Sequence, residues 1–312
     1  MRITFREADW EALARLWAEF YPEKYRVDAK LLKQNSVDCP VFDWGASAIE
    51  VMDNETLGFV MVKRPSNPTL WPGPNEDVYH VSAIAYREPE VGVDLMAQAK
   101  RTVTNRGGVK LLFGMDSQHF WPGCPEDCQR TCSFLMVEGF EKAGGHFDLE
   151  RNLKDYEMPF KPVPGVQYRE VTEADVKALR TFLQREFPGR WTYDVMAKVK
   201  VEGAANTVFG AFDGGRMLGF AMIQDWRHKM PVNGAVWHAS MGDRWGALGA
   251  IGVAAEERGR GLGHSVLGSA LKNLKDRGVE QCIIDWTGLD KFYGAHGFEI
   301  TRRYQVASLK LG

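Results

Sequence analysis

The feature that most constrains this chain is a predicted strand, glycine-rich turn and helix over residues 251–277. The strand opens at Ile251, and the turn follows as Arg258-Gly-Arg-Gly-Leu-Gly263. Apolar residues then recur at helical spacing, and Gly278 stands where a helix often ends. Glycines let a backbone approach an anion closely, and the first N–H groups of a helix lack intrahelical partners. With its two arginines, the turn predicts a binding site for a diphosphate group.

Two common phosphate-binding turns do not fit this spacing. The turn contains no Gly-x-x-x-x-Gly-Lys-Ser/Thr, and no Gly-x-Gly-x-x-Gly opens the helix. The pattern Arg258-x-x-Gly261-x-Gly263 instead resembles the acetyl-CoA diphosphate loop of the GNAT superfamily of N-acetyltransferases. An apolar run at 281–285 and the segment 289–298, with Phe-Tyr before a Gly-Phe pair, resemble the next two features of that family in the same order. The resemblance implies acetyl-CoA as the cofactor.

The resemblance also implies which residues contact acetyl-CoA. Backbone groups of the strand would hold the thioester carbonyl, and the turn with the first helical residues would hold the diphosphate. The candidate cofactor-binding residues are Ile251, Gly252, Val253, Arg258, Gly259, Arg260, Gly261, Leu262, Gly263, His264 and Phe292. A glycine inside a strand, here Gly252, also suggests a β-bulge or the close approach of a ligand.

The candidate proton donor is Tyr293, because the family places a tyrosine here near the sulfur of CoA. A phenol with a pKa of about 10 can protonate a thiolate whose thiol has a pKa of about 8.5. The alternative is that Tyr293 is a packing aromatic. The general base stays open among four candidates: Asp225, Asp285, Glu256 and His228.

The sequence indicates that the chain consists of two related halves. Its 312 residues suit about two domains of ~150 residues each. Segments 56–62 and 217–223 are similar, and a Gly-Phe pair recurs at 139–140 and 297–298. A proline-rich linker at 159–165 then separates a domain at 1–158 from a domain at 166–312. The resemblance implies an α/β (α+β) fold of two tandem GNAT-like domains, each a mixed, mostly antiparallel twisted sheet flanked by helices.

The first half lacks the diphosphate turn. Its corresponding turn contains one proline, Pro89, and one glycine, Gly92, with three acidic residues between 88 and 94. Those carboxylates would repel a diphosphate. We therefore expect a degenerate N-terminal copy without CoA binding, which walls the substrate site or maintains the two-domain architecture.

Aromatic loops supply the candidates for binding the acceptor. They are Asp225, Trp226 and Trp245 in the second half, and His119 and Trp121 in a first-half loop that resembles one found in some tandem GNAT proteins. Tryptophans and titratable groups on loops suit a small polar substrate. The alternative is that these aromatics pack between domains.

Five cysteines do not suggest a disulfide framework. Cys124, Cys128 and Cys132 recur every four residues, which predicts buried thiols on one helix face and no metal site. No cysteine lies in the diphosphate turn or beside Tyr293, and Cys282 falls in a predicted strand. The sequence therefore predicts that the acetyl group passes directly from acetyl-CoA to the acceptor, without a covalent acetyl-cysteine intermediate.

Charge and hydropathy restrict the partners. A net charge of −2 disfavours nucleic acid and anionic membranes as partners, and no apolar run is long enough to cross a bilayer. With no apolar leader visible, a cytoplasmic location is expected. The sequence predicts an acetyl-CoA-dependent N-acetyltransferase acting on a small-molecule amine. The alternatives are a non-catalytic acyl-CoA-binding regulator and a transferase for protein or peptide amines. The acceptor, the acyl chain length and the oligomeric state stay open.

Overall fold

The computed structural model describes residues 1–64 and 77–312. Contacts divide the chain into two compact units: unit 1 comprises Met1–Phe147 and Arg302–Gly312, and unit 2 comprises Asp148–Thr301. Within the described residues, no helix combines the length and the hydropathy that crossing a bilayer requires.

The described strands and helices follow in chain order. The strands are β1 (Arg2–Ile3), β2 (Ala48–Met52), β3 (Glu55–Lys63), β4 (Val78–Tyr86), β5 (Lys110–Phe113), β6 (Cys124–Pro125), β7 (Glu141–Asn152), β8 (Gln167–Glu170), β9 (Val208–Asp213), β10 (Arg216–Asp225), β11 (Trp245–Val253), β12 (Gln281–Thr287) and β13 (Glu299–Lys310). The helices are α1 (Trp10–Phe20), α2 (Ala29–Gln34), α3 (Pro89–Asn105), α4 (Gln129–Val137), α5 (Val176–Glu186), α6 (Arg190–Glu202), α7 (Ala204–Thr207), α8 (Leu262–Asp276) and α9 (Asp290–Gly294).

Unit 1 contains a mostly antiparallel sheet in the order β1-β2-β3-β4-β5-β13. Its parallel pair is β4 and β5, which pair from Val78 to Val81 along β4. The last strand comes from the end of the chain, since Ser308 of β13 pairs with Leu112 of β5. The first half of the sequence therefore does not complete this sheet by itself.

Unit 2 contains the corresponding sheet in the order β8-β9-β10-β11-β12-β7. Its parallel pair is β11 and β12, paired from Trp245 to Leu248 along β11. The end of β7 lies beside β12, where the backbone N–H of Trp286 donates to Asp148 Oδ1 at 3.1 Å. Each unit thus receives one edge strand from a segment distant in sequence.

The predicted fold class is confirmed, because both units are mixed α/β structures with mostly antiparallel sheets and flanking helices. The sequence domains 1–158 and 166–312 are a different division from the compact units. They follow the repeat along the chain, whereas the units follow contacts: unit 1 also includes residues 302–312, and unit 2 begins at Asp148.

The prediction for the three cysteines needs a correction. Cys124 lies in β6 rather than on a helix, because Pro125 pairs with Tyr304 of β13 as an extended segment. Cys128 precedes α4 as its N-cap, and Cys132 lies inside α4. All three side chains are buried, as predicted.

Candidate active site

Strand β11 separates from β12 halfway along its length. The parallel ladder between them ends where Leu248 pairs with Ile284, although β11 continues to Val253. On its other edge, β11 stays paired with β10 as far as Val253. From Gly249 onward, the edge of β11 that faces β12 lies outside the ladder, so its backbone groups can serve a ligand.

A β-bulge falls within this open edge. Ala250 has a φ of 38° and is passed over in the pairing with β10, where Gly249 pairs with Met222 and Ile251 with Ala221. A bulge turns the backbone groups of one strand away from the regular ladder. The candidate residues Ile251, Gly252 and Val253 follow this bulge directly and are half-buried.

Gly252 has a packing reason that the sequence did not reveal. A Cβ atom added to Gly252 would collide with the ring of Phe187, the residue that follows α5. The bulge lies two residues earlier, at Ala250, and the absence of a Cβ at Gly252 allows the Phe187 ring to pack against β11. Val253, the next residue, pairs with Gly219 of β10.

The turn between β11 and α8 has the backbone that its glycines predict. Gly259 has a φ of 77° and Gly261 a φ of 79°, and both lie in the left-handed region that favours glycine. Gly261 is the N-cap of α8 and has no side chain with which to cap this end of the helix. The first intrahelical donor is Ser265 N–H, which bonds to Gly261 O at 3.1 Å. The N–H groups of residues 262–264 therefore precede the first intrahelical hydrogen bond.

The two arginines of the turn have different environments. The buried carboxylate of Glu257 binds Arg260 at 2.5 Å and Arg216 at 2.8 Å. Arg258 is exposed and forms no ion pair with any residue that the structure describes. Arg258 is therefore the cation of the turn that is available to an anion.

Glu186 supports the turn from α5. Its carboxylate accepts a hydrogen bond from the backbone N–H of Ala255 at 2.9 Å. This hydrogen bond is the main cause that holds the pKa of Glu186 below its usual value. Neither Glu186 nor Glu257 was singled out from the sequence, because a carboxylate that supports a distant turn leaves no local pattern.

His264 lies in an aromatic cluster at the start of α8. Its ring centroid is 4.2 Å from that of Phe160 and 4.6 Å from that of Phe292. Its Nδ1 is 3.1 Å from Nε2 of His296, whose Nδ1 is 2.9 Å from the Tyr156 hydroxyl. Burial, the neighbouring His264 and Arg151 lower the pKa of His296 to about 4. The imidazole of His296 is therefore neutral at pH 7.

Tyr293 lies in α9, the short helix that follows β12, and interacts with Asp285 and Thr287 of that strand. Its side chain is 5 % exposed. Burial raises the pKa of Tyr293 well above its ordinary value, the charge of Asp285 raises it further, and a hydrogen bond with Thr287 lowers it. Tyr293 is therefore a protonated phenol throughout the neutral range, as a proton donor must be.

Asp285 faces the bulged strand. A Cβ atom added to Gly249 would lie 3.6 Å from Asp285 Oδ1, and one added to Gly234 would lie 3.1 Å from Asp285 Cβ. Asp285 also acts on the pKa of Tyr293. Among the four candidate bases, Asp285 is the one that the fold brings to both Tyr293 and the open edge of β11.

The other candidate bases are held in ion pairs. Glu256 is exposed and lies 3.5 Å from Arg216. Asp225 binds Arg227 at 2.7 Å and Arg277 at 3.3 Å. Burial works to raise the pKa of Asp225, but hydrogen bonds from the side chain and backbone of Arg227 hold it at about 2. His228 is tied to the same group, since its Nδ1 accepts from Asp225 N–H at 2.8 Å.

Three candidate substrate residues lie at the opposite end of β11 from the turn. Asp225 pairs with Gly246 at the start of the strand, which also begins with Trp245. Trp226 packs beneath the Arg244 guanidinium, whose carbon is 4.6 Å from the ring centroid. At a rise of about 3.3 Å per residue, the seven steps from Gly246 to Val253 at the end of the strand span about 23 Å. The structure therefore does not bring these three side chains to the turn between β11 and α8.

The two first-half candidates lie in the core of unit 1. Trp121 is fully buried, and its ring stacks on that of Trp17 with a centroid distance of 5.4 Å. His119 is 1 % exposed, and its carbonyl accepts from Asn35 at 3.5 Å. Packing within unit 1 accounts for the aromatic character of this loop.

Unit 1 uses the corresponding strand differently. Strand β4 is paired in parallel over its first four residues, as β11 is, but its open edge is occupied by the unit's own side chains. The Tyr21 hydroxyl donates to Ile84 O at 2.6 Å, and Arg130 donates to Tyr86 O at 2.6 Å. Two residues separate β4 from α3, compared with eight between β11 and α8. The ring of Tyr86 also fills the space beside Gly92.

Comparison with known proteins agrees with this geometry. Residues 176–298 match the family model described as "Acetyltransferase (GNAT) family". The match covers β11, the turn between β11 and α8, α8 itself and the Tyr293 segment. Residues 176–298 are therefore similar to the GNAT acetyltransferase family. A sequence comparison with curated proteins found no match.

Solved structures extend the similarity to the full length. A GCN5-related glucosamine N-acetyltransferase region of a fungal multidomain GH3 β-N-acetylglucosaminidase superposes with a TM-score of 0.86 and 19 % identity, covering 99 % of this chain and 38 % of that chain. A GCN5-related N-acetyltransferase from Sphaerobacter thermophilus gives 0.72 and 17 %, covering 100 % and 95 %. A tandem GNAT protein from the clavulanic acid biosynthesis pathway gives 0.70 and 14 %, covering 100 % and 98 %. These likenesses establish the fold as that of tandem GNAT structures.

Proposed function

We propose that this protein is an acetyl-CoA-dependent N-acetyltransferase that transfers an acetyl group directly to the amine of a small molecule. The observation that carries the proposal is the turn between β11 and α8. It combines two left-handed glycines, a helix that begins at a glycine N-cap, and Arg258, which is exposed and forms no ion pair among the described residues, beside a bulged, open strand edge.

The residues of the turn suit the diphosphate of CoA. The N–H groups of Leu262, Gly263 and His264 would donate to its oxygens, and the helix dipole of α8 favours negative charge at this end. Arg258 would add a charge-assisted hydrogen bond. The role of Arg260 is to hold the turn through Glu257, because that buried carboxylate already binds it.

The open edge of β11 suits the rest of the donor. When bound, acetyl-CoA supplies an activated acetyl group as a thioester. Backbone N–H groups around the bulge at Ala250 would polarise the thioester carbonyl, since they lie outside the ladder with β12. The Ile251–Val253 edge would guide the pantetheine arm by the same unpaired groups.

Asp285 and Tyr293 would divide the proton transfers between them. As the C–N bond forms and the C–S bond breaks, the amine must lose a proton and the departing sulfur must gain one. We assign the first transfer to the Asp285 carboxylate and the second to the Tyr293 hydroxyl, which its raised pKa keeps protonated. The two groups are coupled electrostatically, so loss of either should change the pH dependence of the other.

We propose further that the N-terminal copy does not bind CoA. Tyr21 and Arg130 occupy the carbonyls of the corresponding strand edge, and Arg87 in the short turn pairs with Glu19 and Glu55. One equivalent of CoA per chain is therefore expected, held by unit 2.

An amine screen tests the function. Thiol release from acetyl-CoA would be followed across amines that include amino sugars, because the fungal structural relative is described as a glucosamine N-acetyltransferase. Amine-dependent thiol release, with the acetylated product seen by mass spectrometry, supports the proposal. Release with peptide amines alone would favour a protein transferase, and heat of CoA binding without release from any amine would favour a regulator.

A further inference from the structure

Two cysteine sulfurs of unit 1 lie next to each other without a bond. The Sγ atoms of Cys124 and Cys132 are 3.1 Å apart, and all five cysteines of the chain are free thiols. A disulfide requires about 2.05 Å between its sulfurs, so a small side-chain movement would bring the two within bonding distance. We propose that Cys124 and Cys132 are a modification site at which a hydroperoxide forms a reversible disulfide.

The backbone explains why these two thiols meet. Pro125 O accepts hydrogen bonds from Cys128 N–H at 3.1 Å and from the Cys132 thiol at 3.3 Å. Cys132 N–H then bonds to Cys128 O at 2.9 Å as the first turn of α4. The turn after β6 and the first turn of the helix therefore fold Cys132 back over Cys124.

The third thiol of this region is a poorer partner. Cys128 and Cys132 are four residues apart at the start of α4, a spacing that separates Cβ atoms by about 5–6 Å in a helix. Disulfides need Cβ atoms about 3.5–4.5 Å apart. Burial and the nearby Asp127 also raise the pKa of Cys128 to about 12, so it stays a thiol.

Cys132 is the sulfur suited to react first. The hydrogen bond from Cys124 and the positive charge of Lys142 lower the pKa of Cys132 to about 6. The same hydrogen bond and burial raise the pKa of Cys124. Cys132 is also 4 % exposed and Cys124 is fully buried, so a small peroxide would reach Cys132 first.

The reaction balances with a hydroperoxide as the oxidant. The Cys132 thiolate attacks the peroxide; an S–O bond forms, the O–O bond breaks, and an alcohol or water leaves after taking a proton. The Cys124 thiol then loses its proton, and its sulfur attacks Cys132; the S–S bond forms, the S–O bond breaks, and the oxygen leaves as water. Two thiols are oxidised, and one peroxide is reduced by two electrons.

Peptide mapping of the full chain tests the proposal. The reduced protein would be treated with hydrogen peroxide, alkylated and digested with trypsin and a glutamate-specific protease. Cleavage after Glu126 and Arg130 separates the three cysteines into different peptides. The expected product is a cross-link between the peptide that ends at Glu126 and the one that begins at Thr131, removed by dithiothreitol.

Variants provide the matched controls. Cys128→Ser should keep the cross-link at the wild-type rate, whereas Cys124→Ala should abolish it and leave Cys132 as a sulfenic or more oxidised acid. A cross-link through Cys128 in the wild-type protein would overturn the proposal. So would recovery of all three thiols unmodified after excess peroxide, and neither outcome depends on how the variants fold.

Discussion

The buried carboxylate of Glu257 lies 2.5 Å from Arg260 Nη1 and leaves Arg258, two residues earlier, without an ion pair among the described residues. One acidic side chain thus separates two arginines of a single turn into a structural cation and an available one. The proposed diphosphate site depends on this separation.

Arg258→Ala should weaken acetyl-CoA binding by about tenfold or more, because a hydrogen bond to a charged group contributes about 1.5–3 kcal/mol. Isothermal titration calorimetry measures the change in Kd. Arg87→Ala is the matched control, since Arg87 occupies the corresponding turn of unit 1 and pairs with Glu19 and Glu55. Equal losses of affinity in the two variants would contradict the assignment of CoA to unit 2.

Tyr293→Phe should lower kcat by about 10²-fold, the lower range for loss of a general acid, while the Kd for acetyl-CoA changes less than about twofold. Because the raised pKa of Tyr293 keeps it protonated, the wild-type rate should not fall from its ionisation below about pH 10. Tyr168→Phe is the control, as its hydroxyl in β8 has no hydrogen-bond partner among residues 1–64 and 77–312. Full turnover by Tyr293→Phe would refute its role as the acid.

Asp285→Asn should lower kcat/KM by about 10²-fold near neutral pH, because the variant has no general base to accept the proton of the amine. The activity of the variant should recover as pH rises, because more of the amine is then already deprotonated. Pre-steady-state thiol release over a pH series provides the measurement. Glu256→Gln removes an exposed carboxylate paired with Arg216 and should keep the wild-type dependence of thiol release on pH. If Glu256→Gln loses activity and Asp285→Asn does not, Glu256 is the base.

Gly252→Ala should destabilise unit 2 by about 1–3 kcal/mol, the usual cost of overpacking, because the new methyl group collides with the Phe187 ring. Urea unfolding gives the free energy of unfolding. Adding Phe187→Leu should restore part of the loss, since the smaller side chain vacates the space. If the double variant is as unstable as the sum of two independent losses, the contact between these residues is not the cause.

Stability should fall as the solution is acidified from about pH 6.5 to pH 4. The pKa of His296 is about 4 in the folded protein and 6.5 for an ordinary histidine, as in the unfolded chain. The unfolded chain therefore binds more protons than the folded protein throughout this interval. The difference corresponds to at most about 3 kcal/mol. The groups around His296 are His264, Tyr156 and the Arg151 guanidinium. His296→Gln should flatten the pH dependence of urea unfolding, and an unchanged slope would exclude His296 as its source.

The sequence predicted those features that local backbone geometry requires. Gly259 and Gly261 both adopt the left-handed conformation that the glycine pattern anticipated, and a helix does begin at Leu262. The fold class followed from the same motif through the family resemblance. Local requirements of this kind leave a trace in consecutive residues, so a single sequence can show them.

Features that depend on long-range pairing could not be predicted. The positions of β13 beside β5 and of β7 beside β12 bring together residues more than a hundred positions apart. Trp245 begins β11 and Trp226 follows β10, and the antiparallel pairing of these strands puts both at the end of β11 opposite the turn; their role in binding the acceptor stays a prediction. The supporting carboxylates of Glu186 and Glu257 have arginine and backbone partners that only the folded chain identifies.

A crystal structure with bound CoA tests the central claim most directly. The account predicts diphosphate oxygens within hydrogen-bonding distance of the N–H groups of residues 262–264 and of the Arg258 guanidinium, with the sulfur beside Tyr293. A diphosphate bound instead at the turn between β4 and α3, against Pro89 and Gly92, would contradict it.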